Sequence, residues 1–144
     1  MLVRLLYASR SVQPIDDSFI EAILDRSAAK NQEHGITGVL CSYADGDVFL
    51  QALEGGRDEV NALYNNIVRD QRHRDTTLLH YTEIQERRFA AWRMGRVELN
   101  SVNLRTILRF STKAQLDPFS LSGPAAWALL EELSSAAAIA SADS

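Results

Sequence analysis

The apolar positions of this chain fall into short alternating runs and longer runs at helical spacing, and these two patterns mark out nearly every element. In residues 2–8, Val3, Leu5 and Tyr7 share one face and Leu2, Leu6 and Ala8 lie with Arg4 on the other. That is a strand, because successive strand side chains point to opposite faces. Asp16, Asp17 or Ser18 can cap the helix that follows. Ile20, Ile23, Leu24 and Ala28 recur at helical spacing. Continued by steps of three and four, that stripe reaches Ser27 and Asn31, so the face turns polar at its C-terminal end. Gly35 is placed to end the helix. Residues 36–43, ITGVLCSY, form a second strand, and Ala44-Asp45-Gly46-Asp47 predicts a hairpin whose Asp-Gly supplies the positive dihedrals of a tight turn. In the stretch DVFLQALEGG, residues 47–56, both faces are apolar except at Gln51. Such a strand belongs at the centre of a sheet covered on both sides.

Gly55 and Gly56 lead into a second helix with Asp58 and Glu59 in its first turn, where carboxylates complement the helix dipole. Val60, Leu63, Tyr64, Ile67 and Val68 give it an apolar stripe. Residues 77–84 and 92–99 predict two further strands; in the second, Trp92, Met94 and Arg96 share a face opposite Val97 and Leu99. The order strand, helix, strand, strand, helix, strand, plus one strand, is that of an α+β, ferredoxin-like fold. It implies a five-stranded mixed sheet with two helices on one face. Two C-terminal helices can cover the other face: one capped by Ser101 with Leu104, Ile107 and Leu108, the next capped by Ser122 with Ala126, Leu129, Leu130 and Leu133. Trp127 lies off that stripe and is a candidate subunit contact. The boundaries expected are a domain over 1–100, a helical extension over 101–138 and a fraying tail over 139–144, poor in large apolar residues.

Composition narrows the class without naming a function. At 144 residues one domain is expected. A net charge of −4 argues against nucleic acid or an anionic membrane surface as partner. No apolar run is long enough for a membrane span, and MLVRLLYASR is too short and too interrupted by Arg4 for a secretory signal. Cys41 is the only cysteine, which excludes an intrachain disulfide and a cysteine-rich metal site. A cytoplasmic location is expected.

The candidate chemistry sits in polar residues on apolar faces. Gln51 carries two N–H donors and a carbonyl acceptor, and leaving a buried polar group unpaired costs about 1–3 kcal/mol. Backbone or a neighbouring Tyr could satisfy it; so could a bound polar heterocycle. Tyr7 could rest its hydroxyl at the core edge. Ser27 and Asn31 could emerge into solvent or line a polar ligand. Residues 69–74, RDQRHR, could complement the helix dipole or hold a phosphate group. His73 has no cysteine or paired histidine at metal-ligand spacing.

Five stretches together resemble the BLUF domain, the blue-light sensor that uses flavin: LLYAS at 5–9, NQEHGITGVL at 31–40, FLQALEGG at 49–56, IVRDQRH at 67–73 and RRFAAWRMG at 87–95. The resemblance covers residues 1–100, and the C-terminal region is similar to that of short stand-alone members. It implies that FAD, or another flavin such as FMN or riboflavin, lies between the two helices with its ring facing the sheet. It implies Tyr7 as electron and proton donor, with Gln51 between Tyr7 and the ring. Asn31 would hold the pyrimidine edge, Ser27 a polar wall, and Arg72 and His73 the ribityl and phosphate side. Lys30 stands where many members have Asn or His beside a flavin carbonyl, and brings a charge and a flexible stem. Trp92 and Met94 would relay the signal. The function implied is a photoreceptor, not an enzyme, in which a rotated or tautomerised Gln51 amide switches affinity for a downstream protein, with self-association as a dimer or larger. The rival readings are a light-independent ferredoxin-like small-molecule or interaction module, a hydrolase of the acylphosphatase type, and a redox flavoenzyme. The loop SRSVQP lacks the glycines of a phosphate cradle, and no GxGxxG serves a nicotinamide cofactor.

Overall fold

The computed structural model describes residues 1–91, 94–99, 104–136 and 140–141. Its elements are β1 (Leu2–Ser11), α1 (Asp17–His34), β2 (Thr37–Tyr43), β3 (Val48–Gly56), α2 (Arg57–Arg69), β4 (His73–Ile84), β5 (Gly95–Glu98), α3 (Leu104–Leu108), α4 (Gly123–Ala136) and β6 (Ala140–Ser141). The sheet runs β4-β1-β3-β2-β5-β6. The first four strands pair antiparallel, whereas β5 lies parallel to β2. The order 4-1-3-2 with helices after β1 and β3 is the ferredoxin-like arrangement, and β5 makes the sheet mixed.

Strand β3 is the spine. Its residues 48–55 are all buried, and alternation divides them between two cores. Val48, Leu50 and Ala52 join Leu6, Ala8, Val39, Cys41 and the α4 stripe of Ala126, Leu129, Leu130 and Leu133. Phe49 and Leu53 join Val3, Leu5, Tyr7, Ile20, Leu24, Leu40 and Val60 beneath α1 and α2. Burying a large apolar side chain contributes about 1.5–3 kcal/mol, so the expected α4 stripe explains why the extension docks.

The ends of the helices follow their sequence signals. Asp16 caps α1, its carboxylate accepting from Phe19 N at 2.8 Å, and Gly35 closes it in the left-handed region at φ 66°. Ser122 caps α4 through Oγ to Ala125 N at 3.2 Å. Ser101 and the side chain of Ala28 lie outside what is described.

Other expectations are corrected. The left-handed residue of the β2–β3 turn is Asp47, at φ 51°, and not Gly46. Asp tolerates that region, and here its carboxylate also accepts from Ile15 N. Gly46 is needed because a Cβ there would press against the Tyr43 ring at 3.0 Å. Strand β4 starts at His73 and not at 77, since the long β1 offers Ser11 and Arg10 as partners to His73 and Arg74. A bulge at Asp75, φ 56°, then absorbs the shift in register. Val68 and Leu108 are exposed, not part of their stripes; eight residues beyond Val60, Val68 has rotated about 80° from it. The chain end does not simply fray: Ala140 and Ser141 pair antiparallel with Arg96 and Gly95. That pairing needs only backbone groups, which the open edge of β5 supplies. Trp127, half-buried, also has contacts within the chain, a T-shaped one to Phe89 at 5.9 Å and the Arg4 guanidinium 3.9 Å from its ring centroid.

Candidate functional site

The site begins with a cross-strand pair. The β1–β3 register sets Tyr7 opposite Gln51, and paired residues on one face of an antiparallel ladder touch. The Tyr7 hydroxyl donates to Gln51 Oε1. That bond orients the amide, so its nitrogen points away from Tyr7 and donates to Met94 Sδ at 3.2 Å. Met94 is 1 % exposed, just ahead of β5. A thioether is a weak acceptor, so this second bond holds the amide lightly. Burial pushes the Tyr7 phenol well above its ordinary pKa, and Tyr64 and Asp70 add to the shift. Tyr7 is therefore a neutral O–H donor throughout the physiological range.

This pair forms part of the floor of a cavity of about 160 Å3 between the sheet, α1 and α2. Phe19 and Ile23 from α1, Leu40 and Phe49 from the sheet, and Leu63 and Ile67 from α2 give it apolar walls. Polar groups enter from one end of each helix. The last turns of α1 bring Ser27, Lys30 and Asn31; Asn31 is buried while Lys30 is exposed. The end of α2 and the start of β4 bring Asn66, Asp70, Arg72 and His73.

That second group is tightly organised. Asp70 accepts from Arg72 N at 2.9 Å and from Arg72 Nε at 3.0 Å. The hydrogen bonds to Arg72 hold the Asp70 carboxyl down at about 2, against some desolvation. Arg72 is raised in turn, first by that same bond. His73 Nε2 lies 2.5 Å from the Ile67 carbonyl oxygen, which can only accept, so Nε2 carries a hydrogen. In the neutral tautomer Nδ1 is then the acceptor for Ser9 Oγ at 2.8 Å.

All of Tyr7, Ser27, Lys30, Asn31, Gln51, Arg72 and His73 line this one cavity, together with Met94. Trp92 lies outside the described residues. Sequence reasoning passed over Asn66 and Asp70. Asn66 falls one position before Ile67, and a search for apolar spacing skips it; the Asp-x-Arg spacing of Asp70 and Arg72 was the available signal. Arg10 points elsewhere, toward Asp75 at 3.5 Å and over the Phe119 ring at 4.3 Å. Among the described residues no group of three or more His, Cys, Asp or Glu is placed to hold a metal ion, and no helix is long and apolar enough to cross a membrane. An apolar slot with a few convergent donors and acceptors suits a flat heterocycle. A phenol bonded to an amide, next to such a ring, can move a proton along a preformed hydrogen bond.

The family model for BLUF, sensors of blue-light using FAD, matches residues 2–95. The photoactivated adenylate cyclase subunit beta of Euglena gracilis is 37% identical over 86 residues, which is 60% of this chain and 10% of that protein. The chain thus spans about a tenth of the length of the curated relatives it matches. Among solved structures, BlsA in its photo-activated state superposes with a TM-score of 0.81 at 32% identity, over 92% of this chain and 94% of the other. BlrB, a BLUF protein in its dark state, gives 0.76 at 31% identity, over 94% and 96%.

Proposed function

The chain belongs to the BLUF family of blue-light sensors that use a flavin, and on that premise we propose that Tyr7 and Gln51 are its light-driven switch. The observation that carries this reading is the line Tyr7 O–H to Gln51 Oε1, Gln51 Nε2 to Met94 Sδ, at the floor of the cavity. The residues present suit a flavin. Apolar walls flank a slot whose buried polar groups, Gln51 and Asn31, can serve ring carbonyl and ring nitrogen atoms. Arg72 and His73 would hold the ribityl and phosphate side and Lys30 would stand beside a ring carbonyl; the flavin proposed is FAD, the one the family model is described by.

When bound, the flavin supplies an electron acceptor that blue light excites. Tyr7 would be the electron donor to it, and the existing bond to Gln51 Oε1 is the path along which the Tyr7 proton would leave. When the electron returns, so does the proton; nothing is consumed, and the reading is of a switch and not an enzyme. What persists is a rearranged amide. A rotation of the amide by half a turn exchanges its oxygen and nitrogen, breaking both the bond from Tyr7 and the bond to Met94. The output proposed is a changed affinity for a separate downstream protein, or for further copies of the chain as a dimer or larger. Its size is set by the free-energy difference between the two states, about 1.4 kcal/mol for each tenfold change. Residues 1–100 would be the sensor and 101–138 the extension that carries the output.

The test is the visible spectrum of the flavin-loaded protein in the dark, under blue light and after return to darkness. A reversible red shift is expected. A protein that takes up no flavin, or takes it up with no shift, contradicts the reading.

A further inference from the structure

Three positions beyond Gln51 on the same strand, Glu54 turns its side chain to the opposite face and is fully buried. Four nitrogen donors converge on its carboxylate. Oε2 takes Arg4 Nε at 2.9 Å, Arg4 Nη2 at 2.8 Å and the backbone N–H of Arg88 at 3.0 Å; Oε1 takes the backbone N–H of Phe89 at 2.7 Å. A buried ion pair gives little net stability over well-packed apolar residues of the same volume, and the neighbours of Glu54 on its own face of β3, Ala52 and Leu50, are apolar. The charge therefore calls for a reason other than packing.

The reason lies in what it holds. Arg88 and Phe89 belong to the segment that leaves β4 and leads to Met94, the acceptor of the Gln51 amide nitrogen. The same segment is fastened outward to α4. The Phe89 ring meets Trp127 edge-on at 5.9 Å, Arg88 Nη2 donates to Ser135 Oγ at 2.9 Å, and Arg88 Nε stands 3.7 Å from Glu131. Arg4, the cross-strand partner of Glu54, stacks on Trp127. Strand β3 thus meets the segment on both faces: through Gln51 at Met94 on one, and through the Glu54 carboxylate at 88–89 on the other, with Arg87 Nη1 also 3.5 Å from the Glu54 carbonyl oxygen.

We propose that Glu54 is the positioning residue that transmits a change at the Gln51–Met94 contact to α4. The inference rests on the reading of Gln51 as the light switch and adds the route by which it is read out. When the amide turns and its nitrogen leaves Met94, the segment loses its anchor on the cavity face of β3. Glu54 still holds 87–89 on the opposite side, so the strain cannot relax within 85–91 and passes to the Phe89–Trp127 contact and the docking of α4. The two-state element is the amide, and α4 docking is the equilibrium it biases.

The test compares wild type with Glu54→Gln, both flavin-loaded, by visible spectrum and by hydrogen exchange of 85–91 and 123–136 in darkness and in blue light. Wild type is expected to show the red shift and a light-induced change in exchange at α4 of about threefold or more. Glu54→Gln is expected to keep the red shift and lose the change at α4. A variant that keeps both, or loses the red shift, overturns the inference. So does a wild type whose red shift leaves α4 unchanged, and that outcome spares the reading of Gln51. A wild type without any red shift removes the reading itself and the inference with it. Should Glu54→Gln not fold, Trp127→Phe breaks the far end of the same route, with the same outcomes expected.

Discussion

Two pairs on the same two strands show how one sheet can carry both a fixed joint and a movable one. Arg4 faces Glu54 and Tyr7 faces Gln51 in a single β1–β3 register, three positions apart and on opposite faces. The first pair is ionic, closed over by α4 and saturated with donors. The second is neutral, opens onto a cavity, and has only a thioether on its far side. Turning Glu54 would leave a buried charge unmatched. Turning Gln51 exchanges an amide oxygen for an amide nitrogen at nearly equal volume. Burial alone does not decide which buried polar residue can move; the number and strength of the bonds it would lose does.

The contrast can be broken most severely at the closed pair. Glu54→Ala leaves Arg4 buried without its partner and should cost about 3–5 kcal/mol of stability, read by denaturant unfolding. A loss below about 1 kcal/mol would mean that the pair is as solvated as a surface ion pair. At the open pair, Tyr7→Phe leaves Gln51 Oε1 without its donor and should cost about 1–3 kcal/mol, while abolishing the light-induced shift. Gln51→Leu should likewise bind flavin and show no shift. A surviving shift in either variant removes the assigned roles. Below these lies the helix cap: Asp16→Ala should cost about 1 kcal/mol without touching the spectrum, separating stability from switching.

The smallest effects are those of pH. Asp70, held at about 2, favours the folded state above its ordinary value of 3.8, and that contribution should fade as pH falls from about 4 to about 2. At the alkaline end the sign reverses. Burial raises Cys41 above 9.0 and Tyr7 above 10.0, so each favours the folded state below that value and the contribution is lost as pH rises past it. Unfolding followed across pH 8.5–11 should therefore show a loss that Tyr7→Phe removes only in its upper part. An unchanged upper part would mean that Tyr7 is open to solvent.

The divide between the pairs also explains what could be read from sequence. Alternation alone put Tyr7 and Gln51 on apolar faces, and periodicity alone found Ala126, Leu129, Leu130 and Leu133, because both patterns are local. Glu54 stands in the same FLQALEGG stretch and carries no local signal. Its partners lie 50, 34 and 35 positions away, and no local pattern joins them. The contacts of Trp127 within the chain were illegible for the same reason: Arg4 and Phe89, which pack on it, come from elsewhere in the chain. Asn66 was missed because an apolar stripe was sought on α2, whereas the helix turns a partly polar edge to the cavity, and Asp70 because residues 69–74 were read for their cations. The start of β4 was misplaced because its pairing is dictated by the length of β1, not by residues 73–76.

The central claim is that the Gln51 amide is what light leaves changed. The most direct measurement is the light-minus-dark infrared difference spectrum of the flavin-loaded protein, with glutamine side chains carrying heavy carbon and nitrogen. Difference bands that move with the label and vanish in both Gln51→Leu and Tyr7→Phe are expected. A full visible red shift with no label-sensitive glutamine band would contradict the account.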